Sequence, residues 1–309
     1  MMKPIVTIIM ATYNRAHFIK ETLISIQNQT FENWECIIID DGGTDNTQDV
    51  IKSILENNTR FQFVKRNENY QKGLPGCRNF GLDLAKGDYI VFFDDDDIIH
   101  PDNLKIGVET LKDSDFSFCH YQKLSFEVDQ PSFEKIEIVN TKTIASNDLE
   151  KVITQEIGLA SCTVLWNKDC FKTHRFNEKL MYAEEWECYT RIISEGYIGV
   201  IIDAVLYFNR KHPNSNTAEF YNNNPIRKES KNGAILLVIK NLHEKGLLTD
   251  NLLRYFIQMA LDFKAYNLFE SILIATRLSF AAQIKWKIFY SLLPLRLALF
   301  KLKKQLVKK

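Results

Sequence analysis

Short apolar runs alternate with helical patterns through the first 112 residues, and this alternation restricts the fold more than any other feature of the sequence. Ile5–Met10 is a β-branched run, and WECIIID at 34–40 and DYIVFF at 88–93 are likewise short runs rich in apolar residues. The segments between such runs place apolar residues three and four positions apart, as amphipathic helices do. Apolar strands separated by helices of about 10–15 residues predict βαβ units and a mainly parallel sheet that is covered on both faces.

Polar residues follow three of these strands at the point where each strand ends. They are ATYNR after the first strand, DDGGTD after the second and the four consecutive aspartates Asp94–Asp97 after the fourth. The carboxyl ends of parallel strands share one edge of a sheet, and ligands bind at that edge. The sequence therefore predicts one site that is built from all three clusters.

The four aspartates require a positive charge nearby, because ionised carboxylates repel one another. Carboxylates two positions apart after a strand can converge on one divalent cation, and bound Mg²⁺ or Mn²⁺ bridges the phosphates of a nucleotide. A solvated acidic turn that caps the helix beginning at Pro101 is the simpler alternative. After the second strand, Asp40 or Asp41 can accept a hydrogen bond from a base or a ribose, or can cap a turn.

Composition and charge exclude several classes of protein. Lys and Arg together number 39, as do Asp and Glu, so we expect no nucleic-acid partner. The six cysteines are widely spaced without a C-x-x-C pair, which predicts buried thiols in a reducing compartment. The chain contains neither G-x-G-x-x-G nor G-x-x-x-x-G-K-[ST], which argues against a Rossmann oxidoreductase and a P-loop enzyme.

The motifs in this order resemble those of the family 2 glycosyltransferases, which have the GT-A fold. T-Y-N-R, D-D-G-G-T-D, C-R-N-F-G and the aspartate run make the resemblance close from residue 5 to about residue 112, and it is looser to about residue 217. It implies an α/β fold with a Rossmann-like, mixed but mainly parallel sheet flanked by helices. The implied domains are a GT-A domain at 1–222, with a nucleotide-binding half at 1–112 and an acceptor half at 113–222, and a helical C-terminal extension at 223–309.

The resemblance also implies roles for residues that follow the first two strands and begin the third helix. Thr12, Tyr13 and Asn14 would border the nucleotide, with Tyr13 stacking on the base. Asp41 would accept the imide hydrogen of uracil or its equivalent. Arg78 would contact the base or the diphosphate.

In the aspartate run, the resemblance implies that Asp94 faces the ribose and that Asp96 binds the metal ion, Mn²⁺ or Mg²⁺. Because the aspartates are consecutive, the register can shift by one residue, and Asp95 is then a nucleotide contact or a ligand. Arg210 and His212, in an R-x-H segment, would approach the diphosphate or the metal, whereas a lone surface histidine is the simpler interpretation.

Glu184 and Glu185 match the position of the family's general base. The family has E-D there, commonly followed by Trp, whereas this chain has E-E-W. Glu185 is the expected base and Glu184 the alternative; two acids that interact favourably with a helix dipole would be the simpler interpretation. The implied activity is the metal-dependent, inverting transfer of a sugar from a nucleotide-sugar, by default a UDP-sugar. The implied acceptor is a hydroxyl of a glycan or of a polyprenyl-diphosphate-linked molecule, in bacterial surface polysaccharide synthesis.

Two other classes of protein stay open. A phosphatase with a D-x-D nucleophile carries that motif on its first strand, whereas here it follows the fourth. A non-catalytic sugar-nucleotide-binding or scaffold protein on the same fold would not need the general base.

The C-terminal segment predicts a membrane surface as a partner. Arg296–Lys309 has six basic residues and no acid, and Trp286, Phe289, Tyr290 and Phe300 lie among lysines. No apolar stretch reaches the length of a membrane-spanning helix or resembles a signal peptide. We therefore expect a cytoplasmic protein that lies on the inner face of the plasma membrane through a basic amphipathic helix. A helical cap or a subunit contact is the alternative.

Overall fold

A computed structural model describes most of the chain. The described residues are 3–127, 131–137, 140–212, 215–263, 265–276 and 278–295. The chain divides into two compact units, Met1–Ala234 and Ile235–Lys309. The division into domains at residue 222 stays a prediction.

The N-terminal half is a run of βαβ units, as the apolar periodicity predicts. Its strands are β1 (Val6–Thr12), β2 (Trp34–Asp40), β3 (Phe61–Lys65) and β4 (Tyr89–Phe92), and the helices between them are α1 (Ile19–Gln27), α2 (Thr47–Asn57) and α3 (Leu74–Leu84). All their pairings are parallel, in the order β3-β2-β1-β4. The chain builds the sheet outward from β1 on one side and then crosses to the other side, so a topological switch point lies between β1 and β4.

The following segment makes the sheet mixed. Its elements are β5 (Ile98–Ile99), α4 (Asn103–Leu111), β6 (Phe118–Phe126), β7 (Thr141–Ile144), α5 (Leu149–Ile153), β8 (Val164–Asn167), α6 (Glu184–Ser194) and β9 (Gly199–Arg210). β8 is antiparallel to both β4 and β6, and the order β3-β2-β1-β4-β8-β6-β9-β5, with β7 paired to β9, completes nine strands. The predicted mixed, mainly parallel sheet flanked by helices is confirmed.

The alternation of apolar and polar residues in FEKIEIV, residues 133–139, predicts an edge strand, and this prediction is wrong for the part that the structure describes. Residues 131–137 have no strand, and the edge strand is β7, which pairs antiparallel with β9. Ile144 in β7 is fully buried, which fixes the register of this strand. Ile136 packs against the core from an irregular segment.

A close approach between α3 and the sheet places the start of that helix at the carboxyl edge. A Cβ atom on Gly81 would lie 2.5 Å from Ile9 Cγ2 and 3.0 Å from Ile39 Cδ1. Only glycine leaves room for the helix at this distance. Arg78, one turn earlier in α3, is thereby held near the residues that follow β4, with its NH2 3.8 Å from Asp94 Oδ1.

Five helices complete the described chain. They are α7 (Asn216–Tyr221), α8 (Pro225–Glu244), α9 (Asp250–Asp262), α10 (Tyr266–Ala275) and α11 (Phe280–Ser291). The helical C-terminal extension is thus confirmed. Among the described residues, no helix combines the length and the apolarity that crossing a bilayer requires. The basic residues of Arg296–Lys309 and the aromatic Phe300 lie outside the described residues.

Candidate active site

The turns after β1, β2 and β4 meet at the carboxyl edge of the sheet. The backbone N–H of Asp41 donates to the carbonyl of Thr12 over 2.9 Å. Arg15 Nε donates to Asp95 Oδ1 over 3.3 Å. The three polar clusters in the sequence therefore occupy one region, beside the topological switch point where ligands of open α/β sheets bind.

Asn14 organises the loop after β2. It has a left-handed backbone with φ of 55°, and its Oδ1 accepts hydrogen bonds from the N–H groups of Thr44 and Asp45 over 2.8 and 3.2 Å. The ring of Tyr13 is 45% exposed, with Lys72 Nζ lying 4.6 Å from its centroid. Tyr13 thus offers an open aromatic face, while the side chain of Asn14 already has protein partners.

The carboxylate of Asp41 is buried and fixed by two donors. Its Oδ1 accepts from Arg66 Nε over 2.6 Å, and its Oδ2 accepts from the Gly73 N–H over 2.9 Å. A carboxylate has about four lone-pair positions, so Asp41 retains the capacity to accept another hydrogen bond. Its orientation is set by Arg66, a residue that no sequence motif identified.

Asp94 and Asp95 face different surroundings. The Asp94 side chain is 39% exposed, and its Oδ1 lies 3.8 Å from Arg78 NH2. Asp95 is buried and contacts Arg15. Burial and the charge of the neighbouring Asp96 together raise the pKa of Asp95 to about 7, although Arg15 opposes the shift.

Asp96 and Asp97 contact the end of β9 and the segment after it. Asp96 Oδ2 lies 2.8 Å from His212 Nε2, so the structure brings together the two residues predicted to bind metal. Asp97 is almost fully buried, and its Oδ1 accepts from the Arg210 N–H over 2.7 Å. Burial, followed by the charges of Asp94 and Asp96, raises the pKa of Asp97 well above its usual range.

The chemistry of this cluster fits a hard divalent cation. Mg²⁺ and Mn²⁺ favour carboxylate oxygens, and a bound cation would favour the ionised forms of Asp95 and Asp97, whose pKa values are raised first by burial and then by neighbouring carboxylates. Among the described residues, ligand atoms of Asp94, Asp97 and Cys162 also lie within 4.8 Å of one another. Burial raises the pKa of the Cys162 thiol, so its protonated sulfur is a poorer ligand than the carboxylates.

Glu184 and Glu185, at the start of α6, lie in contrasting environments. Glu184 is 4% exposed, and its Oε1 accepts from Arg78 NH1 over 2.9 Å. Arg78 is itself buried, and its NH2 donates to Ser161 Oγ over 2.8 Å. Glu185 is only partly buried. One glutamate is therefore part of a buried ion pair, whereas its neighbour is partly exposed to solvent.

Three acids, Glu184, Asp94 and Glu185, interact with the charge of Arg78. Burial and the charge of Glu185 together raise the pKa of Glu184 to about 8, although Arg78 opposes the shift. Burial alone would lower the pKa of Arg78, but the carboxylates of Glu184 and Asp94 outweigh it and raise that pKa. Arg78 therefore stays charged and holds the first turn of α6 against the aspartate cluster. Its predicted contact with base or diphosphate stays a prediction.

Comparison with known proteins adds a family and a fold. The sequence model of glycosyl transferase family 2 matches residues 7–164. The chain is 28% identical over 197 residues to the Escherichia coli UDP-Glc:alpha-D-GlcNAc-diphosphoundecaprenol beta-1,3-glucosyltransferase WfgD, covering 64% of this chain and 73% of that protein. Three uncharacterized glycosyltransferases from Rickettsia species match at 29–32% identity over 63% of this chain, but the chain spans only 27–31% of their length.

Solved structures share the fold at low sequence identity. Staphylococcus aureus TarS 1–349 in complex with UDP-GlcNAc matches with a TM-score of 0.68 and 19% identity, over 88% of this chain and 80% of that one. The mannosyltransferase PcManGT from Pyrobaculum calidifontis, in complex with GDP-Man and Mn²⁺, matches with a TM-score of 0.53 and 18% identity, over 89% and 86%. The GT-A fold is therefore shown, and proteins with this fold bind nucleotide-sugars and metal ions.

Proposed function

Because the chain belongs to glycosyl transferase family 2, we propose that it transfers a sugar, with inversion at the anomeric carbon, from a nucleotide-sugar to a hydroxyl group of a glycan or lipid-linked acceptor. UDP is the expected nucleotide, as in the UDP-Glc named for WfgD and the UDP-GlcNAc bound to TarS. The diphosphoundecaprenol acceptor in the name of WfgD supports an acceptor of that chemical class.

The arrangement of the two adjacent glutamates carries this proposal. A general base needs an open position and a free carboxylate oxygen. Glu185 is partly exposed and its charge acts on Asp94, whereas Glu184 is buried against Arg78. We assign the base to Glu185 and a structural role to Glu184.

In this mechanism the chain positions both substrates and moves one proton. The Glu185 carboxylate removes the proton from the acceptor hydroxyl, whose oxygen then attacks the anomeric carbon. The bond from that carbon to the nucleoside diphosphate breaks in the same displacement, so the configuration inverts. Tyr13, Asp41 and Asp94 hold the nucleotide, with Asp41 fixed by Arg66.

Asp96 and His212 would hold a divalent cation, with Asp94 or Asp95 beside them. When bound, Mn²⁺ or Mg²⁺ supplies positive charge that offsets the negative charge developing on the leaving diphosphate. The raised pKa of Asp95 and Asp97 supports this assignment, since burial and the neighbouring carboxylates disfavour their ionised forms and a bound cation would favour them.

A thermal-shift and turnover experiment tests the proposed function. With Mn²⁺ present, one UDP-sugar should raise the unfolding temperature, because a ligand at 100 times its Kd stabilises by about 2.7 kcal/mol. UDP should also be released slowly in the presence of a hydroxyl acceptor or of water. Asp96→Asn should remove both effects. Asp88→Asn should remove neither, since Asp88 precedes β4 at the opposite edge of the sheet and its side chain is 63% exposed.

Two results would contradict the proposal. One is a folded protein that no nucleoside diphosphate or nucleotide-sugar stabilises in the presence of Mn²⁺. The other is release of phosphate from simple monoesters, which would favour the phosphatase. Donor binding without turnover, and unaffected by Glu185→Gln, would favour a non-catalytic sugar-nucleotide-binding protein.

We further propose that α11 places the protein on an anionic membrane surface. Phe280, Ile284 and Ile288 recur at four-residue spacing and are 79%, 41% and 55% exposed. The helix contains two lysines and no acid. Exposed apolar side chains beside lysines match the interface of a bilayer that contains anionic lipid.

The aromatic residues of α11 contribute less to this surface than the sequence suggests. Tyr290 stacks on Phe269 with ring centroids 4.5 Å apart. Trp286 and Phe289 line a cavity of about 360 Å³ together with Leu261. The exposed isoleucines and Phe280, rather than the aromatic rings, are therefore the expected membrane contacts.

Flotation with vesicles of anionic and of neutral lipid tests this surface. Replacing Phe280, Ile284 and Ile288 together with Gln should abolish flotation with anionic vesicles. Ile274→Gln provides the control, because Ile274 is 72% exposed on α10. Equal flotation of the triple variant and the unchanged chain would refute the membrane surface.

A further inference from the structure

The beginning of α8 docks onto the loop that leads into the acidic pair. Ser230 Oγ accepts from the N–H groups of Met181 and Tyr182 over 2.8 and 2.9 Å and donates to the Tyr182 carbonyl over 2.8 Å. Arg227 donates to the Met181 carbonyl. Ala183, the next residue, has a left-handed backbone with φ of 63°, a conformation that costs energy for a residue with a side chain. The docked helix therefore helps to hold the strained turn from which Glu184 and Glu185 project.

Lys231, which follows Ser230, is the buried cation of this contact. It is 7% exposed, and its Nζ lies 4.0 Å from the centroid of the Trp186 ring. The ring is fixed in turn, because Trp186 Nε1 donates to the Ile153 carbonyl over 3.1 Å. Trp186 directly follows Glu185 in α6. The ammonium group is thus held by packing against the ring of the residue that follows the expected base.

Charges of both signs surround this place. Burial lowers the pKa of Lys231 to about 8, and the charge of Glu185 opposes the shift. Other titratable groups interact with Glu185. They are Glu184, Asp94, Arg78, Lys123, Tyr182 and Tyr189. The carboxylates of Glu184 and Asp94 repel a negative charge on Glu185, whereas the cations Arg78, Lys123 and Lys231 attract it.

We propose that Lys231 is a positioning residue for the general base: its ammonium, held over the Trp186 ring by docked α8, keeps Glu185 ionised and oriented toward the acceptor hydroxyl. This inference rests on the proposed role of Glu185. It adds to the site a residue that no motif in the sequence indicates. It also makes the first turns of α8 part of the catalytic apparatus.

The pH dependence of kcat/KM tests the role directly. The acid limb of this profile reports ionisation of the base. In Lys231→Met the limb should move to higher pH by about one unit, so kcat/KM at pH values below the limb should fall roughly tenfold. Lys231→Arg retains the charge and should restore most of the original profile. Lys240→Met is the matched control, because Lys240 lies on the same helix with a 69% exposed side chain, and its profile should not change. An unshifted acid limb in a folded Lys231→Met protein, or an equal shift in Lys231→Arg, would overturn the proposal.

A second measurement needs no turnover and does not depend on Lys231→Met folding. With lysines labelled by ¹³C at Cε, and the Lys231 signal assigned by its loss in Lys231→Arg, the pKa of Lys231 is read by NMR titration in the wild-type protein and in Glu185→Gln. Removal of the Glu185 charge should lower the pKa of Lys231. An identical titration in both proteins would overturn the proposal. Because this coupling is measured without substrate, a failure of the proposed glycosyl transfer is distinguished from a failure of this inference.

Discussion

Replacing each of the two adjacent glutamates by alanine should give opposite results for stability and activity. Glu184 is 4% exposed and 2.9 Å from the Arg78 guanidinium. Even when protonated, Glu184 offers an oxygen that accepts from Arg78. Its removal leaves the buried cation with two polar partners among the described residues, Ser161 Oγ at 2.8 Å and Asp94 at 3.8 Å.

Loss of one partner of a buried ion pair costs about 3–5 kcal/mol. Because Arg78 keeps two weaker partners, we expect Glu184→Ala to lose about 3 kcal/mol of unfolding free energy. At about 2–4 °C per kcal/mol for a domain of this size, the unfolding temperature should fall by about 6–12 °C. Glu185 is partly exposed, so Glu185→Ala should change stability by less than about 0.5 kcal/mol.

Urea unfolding and sugar transfer, measured on the same preparations, check this prediction. Removal of a general base costs about 10²–10⁴-fold in rate, so Glu185→Ala should fold normally and lose that much activity. Glu184→Gln, which keeps an acceptor for Arg78, should recover much of the stability lost in Glu184→Ala. Equal stability losses at both positions, or full activity in Glu185→Ala, would refute the division of roles between the two glutamates.

Three further predictions concern packing, protonation and thiol chemistry. Gly81→Ala should cost about 1–3 kcal/mol by overpacking against Ile9, whereas Gly158→Ala, which has open space around it, should be nearly neutral in urea unfolding. Without metal, the free energy of unfolding should fall as the pH rises from about 5 to 8. The folded state raises the pKa of Asp95 to about 7 and of Glu184 to about 8, and so favours their protonated forms. A urea midpoint that rises over this pH range in EDTA would contradict this prediction. A thiol reagent should react slowly with the native protein and fully after unfolding, because all six cysteines are buried; rapid native labelling would contradict the burial of Cys36, Cys77, Cys119, Cys162, Cys170 and Cys188.

The sequence by itself determined the N-terminal half of the sheet and the edge at which the site lies. Apolar runs such as WECIIID keep their period over a whole strand, and the observed β2, Trp34–Asp40, has the predicted bounds. Polar residues directly after β1, β2 and β4 must reach the same edge once those strands are parallel. These features are local, so each segment carries its own signal. The E-E-W stretch likewise lies on a helix, Glu184–Ser194, that the periodicity predicts.

Only the tertiary structure decided which partner each of these side chains meets. Nothing local distinguishes Glu184 from Glu185; the difference arises because Arg78, on a distant helix, approaches one of them. The positions of Arg66 beside Asp41 and of Lys231 over the ring that follows Glu185 are equally invisible in the sequence. Periodicity records which face of an element is buried, but not which element covers it. The charge and orientation of the site depend on that packing.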